Sequence, residues 1–285
     1  KVRGPLGVNG LDDRIRIEGG RPLKGNVIIQ GSKNAALPMM AASLLHHGIS
    51  VLKGCPRIAD VFCMEEILQR LGAVTWWKGH DLYLDCSKVC GREIASEYTG
   101  RMRCSVILLG ALLGRNQRGV IGYPGGCVIG KRPIDLHLYA LKSLGAIISE
   151  KNGKIQADCK KLKGQEINFP DRSVGATEQA LLAAVLAEGE TVLRNCAREP
   201  EITWLCRFLQ KMGARIFHEK EGCIRVQGVT SLYGTEMLIP ADRIVTGTYL
   251  CAAAASRGSV TVENAPEGEM EAFLEVYRKM GGQCH

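Results

Sequence analysis

The chain of 285 residues carries 37 lysines and arginines against 29 aspartates and glutamates, and its residues are 46% hydrophobic, 23% charged and 5% aromatic. This length favours two domains or one large core, and the composition excludes a disordered, collagen-like or coiled-coil protein. The formal charge of +8 is not gathered in blocks, and aromatic residues are scarce. The charge therefore indicates phosphate-bearing small molecules as ligands, rather than nucleic acid.

The twelve cysteines include no Cys-x-x-Cys pair and no Cys/His quartet, so neither a disulfide scaffold nor a zinc site is indicated. The N-terminus shows no secretory signal, and no apolar run reaches about 18 residues. We therefore expect a cytoplasmic protein with reduced thiols and no membrane partner. The chain has no initiator methionine, and we expect it to be a fragment.

A helix-like segment ending in Leu/Met-Gly-Ala/Gly recurs along the chain about every 70 residues. Its glycines are Gly72, Gly145, Gly213 and Gly281. Each copy follows an alanine- and leucine-rich stretch, a glycine and a β-branched strand. The repeat predicts a unit of six elements.

The first copy predicts the order of those elements. We expect strands at 26–30 and 49–52, helices at 33–46 and 60–71, and a hairpin of strands at 74–77 and 82–85. Asp60 is a plausible N-cap for the second helix. The predicted unit is therefore β-α-β-α-β-β.

The first helix of each copy is apolar nearly all round, which predicts buried helices with the sheets outside them. Three units fill 33–238 and form a first domain. A fourth unit begins near 239, and a strand at 14–18 is expected to pair with it, so 14–32 plus 239–285 form a partial second domain. That incomplete domain should expose apolar helix faces at 246–255 and 272–277. Residues 1–13 have no periodic pattern and are expected to be unstructured.

The motif Gly31-Ser32-Lys33-Asn34 lies between a predicted strand and helix, where the chain crosses between the domains. A lysine beside the free N–H groups of a helix N-terminus is a ready anion site. Taken alone, the motif fits a solvated lysine at a helix start better. Its functional interpretation therefore depends on the motifs that follow.

The segment from Gly125 to His137 has the most informative composition. It fits Gly-x-x-x-x-Gly-Lys, but Arg132 stands where a P-loop has serine or threonine, so a P-loop is a weak candidate. Cys127 lies in a glycine-flexible loop, and the nearby cations Lys131 and Arg132 favour its thiolate. This context distinguishes Cys127 from the other eleven thiols, although most cysteines are structural.

Three further motifs open predicted helices. Arg101-Met102-Arg103 could reach the same cleft as the thiol loop, and a surface pair is the alternative. Arg172-Ser173-Val174-Gly175 offers backbone N–H groups suited to a diphosphate, and a plain N-cap by Ser173 explains it almost as well. Ala197-Arg198-Glu199-Pro200-Glu201 is best explained by acidic residues that complement the helix dipole.

Together these motifs resemble the UDP-N-acetylglucosamine 1-carboxyvinyltransferases, which are enolpyruvyl transferases. The resemblance covers most of the chain and includes Asp242-Arg243-Ile244-Val245-Thr246-Gly247-Thr248. It implies an inside-out α/β barrel fold, in which each of two domains has three β-α-β-α-β-β units, with the second domain incomplete here. It also implies transfer of the enolpyruvyl group from phosphoenolpyruvate to the 3-hydroxyl of UDP-N-acetylglucosamine, without metal or other cofactor.

The resemblance also implies roles for individual residues. Lys33 and Asn34 would bind phosphoenolpyruvate, with Arg103 and Arg132 completing the anion cradle. Cys127 would donate a proton and hold the enolpyruvyl donor covalently, so Cys127 and Lys33 are the expected catalytic residues. The expected substrate contacts that remain are Arg132, Pro133, Ile134, Asp135, Leu136, His137, Arg172, Ser173, Val174 and Gly175.

The sequence departs from the family in two ways. The family has six units and this chain at most four, so the segments with the catalytic aspartate and the last phosphate-binding arginine have no counterpart here. Asp171-Arg172 stands where many members have lysine, so the cation would be displaced by one position. The alternative is a truncated, non-catalytic UDP-sugar-binding paralogue.

Overall fold

A computed structural model describes residues 19–125, 133–220 and 222–284 of the chain. The predicted unstructured segment 1–13 and the predicted strand 14–18 lie outside these residues. The strands described are β1 (Lys24–Ile28), β2 (Ile49–Lys53), β3 (Val74–Lys78), β4 (Asp81–Asp85), β5 (Glu93–Ile94), β6 (Arg118–Gly122), β7 (Ile147–Lys151), β8 (Lys154–Asp158), β9 (Glu166–Asn168), β10 (Glu190–Arg194), β11 (Arg215–Lys220), β12 (Cys223–Gln227), β13 (Glu236–Leu238) and β14 (Ser259–Glu263).

Nine α-helices lie within the described ranges, together with short 3-10 helices at Ser43–Leu45, Arg103–Ile107 and Glu267–Glu269. The α-helices are α1 (Lys33–Ala42), α2 (Ala59–Arg70), α3 (Ser96–Thr99), α4 (Leu108–Asn116), α5 (Asp135–Ser143), α6 (Val174–Ala184), α7 (Pro200–Lys211), α8 (Arg243–Ala255) and α9 (Glu271–Lys279). None of these helices is both long and apolar enough to cross a bilayer.

Three four-stranded sheets share one topology. Their strand orders are β13-β2-β4-β3, β5-β6-β8-β7 and β9-β10-β12-β11. In each sheet the first two strands are parallel, and the other two form an antiparallel hairpin that pairs with the second strand. The repeated β-α-β-α-β-β unit predicted from the sequence is confirmed.

The strand expected at 26–30 does not belong to the first unit. The structure has β1 at Lys24–Ile28, paired in parallel with β14 of the fourth unit. The first sheet instead receives β13, which pairs in parallel with β2. Two parallel strands are joined by a crossover connection and need not be neighbours in the sequence. The repeat alone therefore did not show which segment pairs with β2 at the edge of the first sheet.

The helices α1, α4 and α6 form the buried centre, as their apolar composition predicts. α4 and α6 run parallel in close contact at two glycines. A Cβ on Gly110 would lie 2.7 Å from the carbonyl oxygen of Gln179, and one on Gly114 would lie 3.3 Å from that of Leu182. The 3-10 helix after α1 ends at Leu45, which also packs on Gly114, and α1 contacts the 3-10 helix before α4, so all three helices point the same way.

The fourth unit is less covered than the other three. Only Thr246, Gly247 and Ala253 are buried in α8, and no residue of α9 is buried. Tyr249 is 42% exposed and Val276 is 56% exposed. The exposed helix faces expected at 246–255 and 272–277 are therefore present.

The chain passes twice through one narrow region, at 30–32 and 240–242. The backbone N–H of Ser32 donates to the carbonyl of Pro240 at 2.7 Å, and that of Asp242 donates to the carbonyl of Gln30 at 3.0 Å. Gly31 lies between them, where a Cβ would be 2.4 Å from the carbonyl oxygen of Gly54. This pairing supports the division into a domain 33–238 and a partial domain 14–32 plus 239–285, which stays a proposal.

Candidate active site

The N-terminal ends of the three central helices meet on one side of the molecule. Lys33 is the first residue of α1, Arg103 begins the 3-10 helix that leads into α4, and Ser173 is the N-cap of α6. The first N–H groups of a helix have no partner within it, and the helix dipole makes this end positive. The three parallel helices therefore concentrate positive electrostatic potential at this side, and the side chains of Lys33 and Arg103 add to it.

Lys33 forms an ion pair with Asp60, the residue predicted from the sequence to cap the second helix. Its Nζ lies 2.7 Å from Oδ2 of Asp60, and both side chains are about 40% exposed. Asp60 is not the N-cap of α2, because the helix starts at Ala59 and Ile58 occupies the cap. The carboxylate lies in the first turn, where it reaches Lys33 across the groove between α1 and α2.

Arg103 links the start of α4 to the loop before α5. Its Nη2 donates to the carbonyl oxygen of Pro133 at 2.7 Å. Pro133 and Asp135 are exposed, while Ile134 and Leu136 are half-buried. The structure therefore brings the predicted residues 133–136 beside Arg103.

His137 is buried where α5 begins to pack on α6. Its Nδ1 lies 2.8 Å from Oε1 of Gln179, and a Cβ on Gly175 would come within 2.7 Å of its Cε1. Burial lowers the pKa of His137 to about 4. The charge of Arg103 also lowers this pKa, whereas the hydrogen bond to Gln179 raises it. The imidazole is therefore neutral near pH 7.

The start of α6 presents the predicted diphosphate loop. The Oγ of Ser173 accepts a hydrogen bond from the N–H of Ala176 at 3.3 Å, so the cap interpretation is confirmed. Val174 and Gly175 occupy the first turn next to His137.

Two further predicted contacts are exposed. Arg172 donates from Nε to Oδ1 of Asn195 at 3.3 Å, a contact with the loop after β10. Asn34, in α1, is also exposed.

Sequence reasoning assigned Glu201 to the helix dipole, and it missed both the partner of Glu201 and a buried acid nearby. Glu201 is buried and accepts two 3.1 Å bonds from the guanidinium of Arg243, at the start of α8. Glu178, on α6, is 5% exposed, and burial together with the charges of Glu201 and Glu199 raises its pKa to about 8. These are contacts between distant segments, which no local motif signals.

A second missed group is a thiol next to Arg103. Cys104 is half-buried, and burial raises its pKa well above the ordinary value, helped by the charges of Glu178 and Asp60 and opposed by that of Lys33. The predicted catalytic Cys127 and the predicted ligand Arg132 lie outside the described residues, so their positions stay predictions.

Repeated units around central helices are the fold of the enolpyruvyl transferases of known structure. The enolpyruvyl transferase NikO from Streptomyces tendae has this fold, with a TM-score of 0.74 at 23% identity over 82% of this chain and 56% of that one. EPSP synthase from Acinetobacter baumannii gives 0.70 at 20% identity over 92% and 60%.

The family model of EPSP synthase (3-phosphoshikimate 1-carboxyvinyltransferase) matches residues 17–285, and the chain belongs to this family. Among curated relatives, UDP-N-acetylglucosamine 1-carboxyvinyltransferase 2 of Caldanaerobacter subterraneus is 46% identical over 268 residues, which are 94% of this chain. UDP-N-acetylglucosamine 1-carboxyvinyltransferase 1 of Symbiobacterium thermophilum is 45% identical over 276 residues. The resemblance found in the sequence is thereby confirmed.

The chain spans 64% of the length of the first of these relatives and 63% of the second. The expectation that it corresponds to part of a longer architecture agrees with this coverage.

Proposed function

We propose that this protein serves the transfer of an enolpyruvyl group from phosphoenolpyruvate to the 3-hydroxyl of UDP-N-acetylglucosamine, with release of phosphate. This reaction is the first committed step of peptidoglycan synthesis. The observation that carries the proposal is the meeting of Lys33, Arg103 and the start of α6 at one side of a chain that is 46% identical to such an enzyme. We place the reaction in the cytoplasm, where thiols stay reduced.

Electrostatic stabilisation is the chemistry that the described residues supply. Both substrates are anionic, and the reaction passes negative charge to a departing phosphate. Lys33 and Arg103, with the N–H groups at the start of α6, would hold that charge in a partly dry site. Arg132 and Cys127 would complete the cradle and supply the proton for the methylene carbon.

Lys33 is available to a ligand despite its contact with Asp60. An ion pair between two half-exposed side chains contributes only about 0–1 kcal/mol. Displacing Asp60 from Lys33 therefore costs a ligand little.

Calorimetry with UDP-N-acetylglucosamine tests the substrate class. We expect saturable heat with this ligand and little with ADP-glucose. Arg103→Ala should weaken binding by about 10- to 100-fold, because it removes charge-assisted bonds and releases the carbonyl of Pro133.

The matched control is Arg101→Ala. Arg101 lies two residues away, and its guanidinium is already paired with Glu66 at 3.0 Å on the surface. This variant should bind as the unmodified chain does. Equal binding of both nucleotide sugars, or no heat with either, would contradict the proposed substrate.

A phosphate-release assay separates transfer from the alternative, a non-catalytic UDP-sugar binder. The resemblance assigns the base for the sugar hydroxyl to an aspartate without a counterpart in these 285 residues, so we expect no sustained release from this chain alone. A chain extended by the remaining third of its relatives should release phosphate. If the extended chain binds the nucleotide sugar without turnover, the alternative holds, and rapid release by the 285 residues would refute the role given to the aspartate.

A further inference from the structure

The side chain of Gln179 contacts the predicted substrate residue His137 in a buried place. Gln179 is 0% exposed and His137 is 6% exposed. The two side chains come from α6 and α5, and Oε1 lies 2.8 Å from Nδ1. Such a bond fixes the position of the imidazole ring against the first turn of α6.

This bond also decides which ring nitrogen carries the proton. The amide places Oε1, which is only an acceptor, against the ring, and this arrangement assigns the proton to Nδ1. The imidazole is neutral, so the other nitrogen, Nε2, then has a lone pair and no proton. Among the described residues, Nε2 has no hydrogen-bond partner, and it lies beside Gly175, where a Cβ would be 3.1 Å away.

The amide nitrogen of Gln179 makes no stabilising contact at this position. Its Nε2 group is buried without a hydrogen-bond partner among the described residues. An unpartnered buried donor destabilises a fold. An apolar side chain of the same length would fill the space without that penalty, so the contribution of the amide here is its bond to His137.

We propose that Gln179 is a positioning residue that holds His137 as the neutral tautomer protonated on Nδ1, so that Nε2 accepts a hydrogen bond from the ligand. The acceptor fits a hydroxyl or amide N–H of the sugar nucleotide. The phosphate oxygens, which are acceptors themselves, are left to the cations Lys33 and Arg103. The identity of this ligand rests on the proposed function, whereas the tautomer does not.

Nitrogen-15 NMR of the histidine side chains tests the tautomer without any ligand. The chemical shifts of the two ring nitrogens identify the protonated one, and the signals of His137 are assigned by their loss in His137→Phe. We expect the proton on Nδ1 in the unmodified chain. A proton on Nε2 in that chain overturns the proposal, whatever the variants do.

Two variants show whether Gln179 is the cause. Gln179→Met fills the same space without the acceptor, and we expect the proton to move to Nε2. Gln179→Glu restores an acceptor oxygen, and we expect Nδ1 to be protonated again, with Nε2 protonated as well because the carboxylate favours the imidazolium. The internal control is His46, a second buried histidine whose Nε2 lies 2.8 Å from Oγ of Ser50, and its signals should not change. An unchanged tautomer in Gln179→Met with unchanged His46 signals refutes the role of Gln179.

Binding of UDP-N-acetylglucosamine completes the test. Gln179→Met should weaken it by about 3- to 10-fold, the usual effect of one neutral hydrogen bond. Unchanged affinity with the expected change of tautomer refutes the contact between Nε2 and the ligand. No binding by the unmodified chain refutes the proposed function, while the tautomer result still decides the role of Gln179.

Discussion

Arg115→Met is expected to lower the free energy of unfolding by about 3–5 kcal/mol. The guanidinium of Arg115 donates to four backbone carbonyls, those of Leu44 and His46 at 2.7 Å, Cys86 at 2.8 Å and Val89 at 3.1 Å. Each carbonyl left buried without a partner costs about 1–3 kcal/mol, and water compensates only where it can enter. The large effect follows because one side chain serves four acceptors.

The position of Arg115 adds to this effect. It lies in the last turn of α4, where the C-terminal ends of the parallel central helices gather negative potential. Urea denaturation of the variant measures the loss. Arg118→Met is the matched control, because Arg118 makes a 3.4 Å surface pair with Asp158 and should change stability by no more than about 1 kcal/mol. A loss below 1 kcal/mol for Arg115→Met as well would contradict the role of the four bonds.

Glu178→Gln is expected to stabilise the protein progressively as pH rises. Burial and the charges of Glu201 and Glu199 raise the pKa of Glu178 from 4.5 to about 8. Between pH 4.5 and 8 the folded chain therefore keeps a proton that the unfolded chain has lost. Raising pH through this window weakens folding by up to about 1.4 kcal/mol per unit.

The neutral amide of the variant removes this cost. The stability difference between Glu178→Gln and the unmodified chain should be near zero at pH 4.5 and reach roughly 3–5 kcal/mol at pH 8. His46 and His137, whose pKa values are lowered to about 4, destabilise both proteins as pH falls below 6.5 and cancel in the difference. Denaturation at several pH values measures the trend, with the exposed Glu271→Gln as control. A difference independent of pH would show that Glu178 is ionised in the folded chain.

The repeat was predictable because each unit repeats its own local signals. An apolar helix, a glycine and a β-branched strand recur in order, and each depends on residues close in sequence. The misplaced strand 26–30 shows the limit. β1 and β13 both precede a helix, so their local sequence signals are alike. Only the path of the chain in three dimensions places β13, and not β1, in the first sheet.

The site shows the same division. Lys33, Arg103 and Ser173 were predictable because cations and caps at helix starts are local features. Asp60 and Gln179 were not, because each contacts its partner across a large sequence separation, 27 residues in one pair and 42 in the other. Such contacts depend on the relative placement of two helices, which periodicity does not encode.

The return of β13 to β2 has a consequence for synthesis on the ribosome. Lys53 and Glu236, paired at 2.8 Å across these two strands, are 183 residues apart. At about 5–20 residues per second, β2 waits roughly 10–40 s for its neighbour. Throughout that time the nascent chain presents an unpaired strand edge, which other chains can join. Translation speed and chaperone capture in this interval, more than the stability of the finished fold, would then set the yield of native protein.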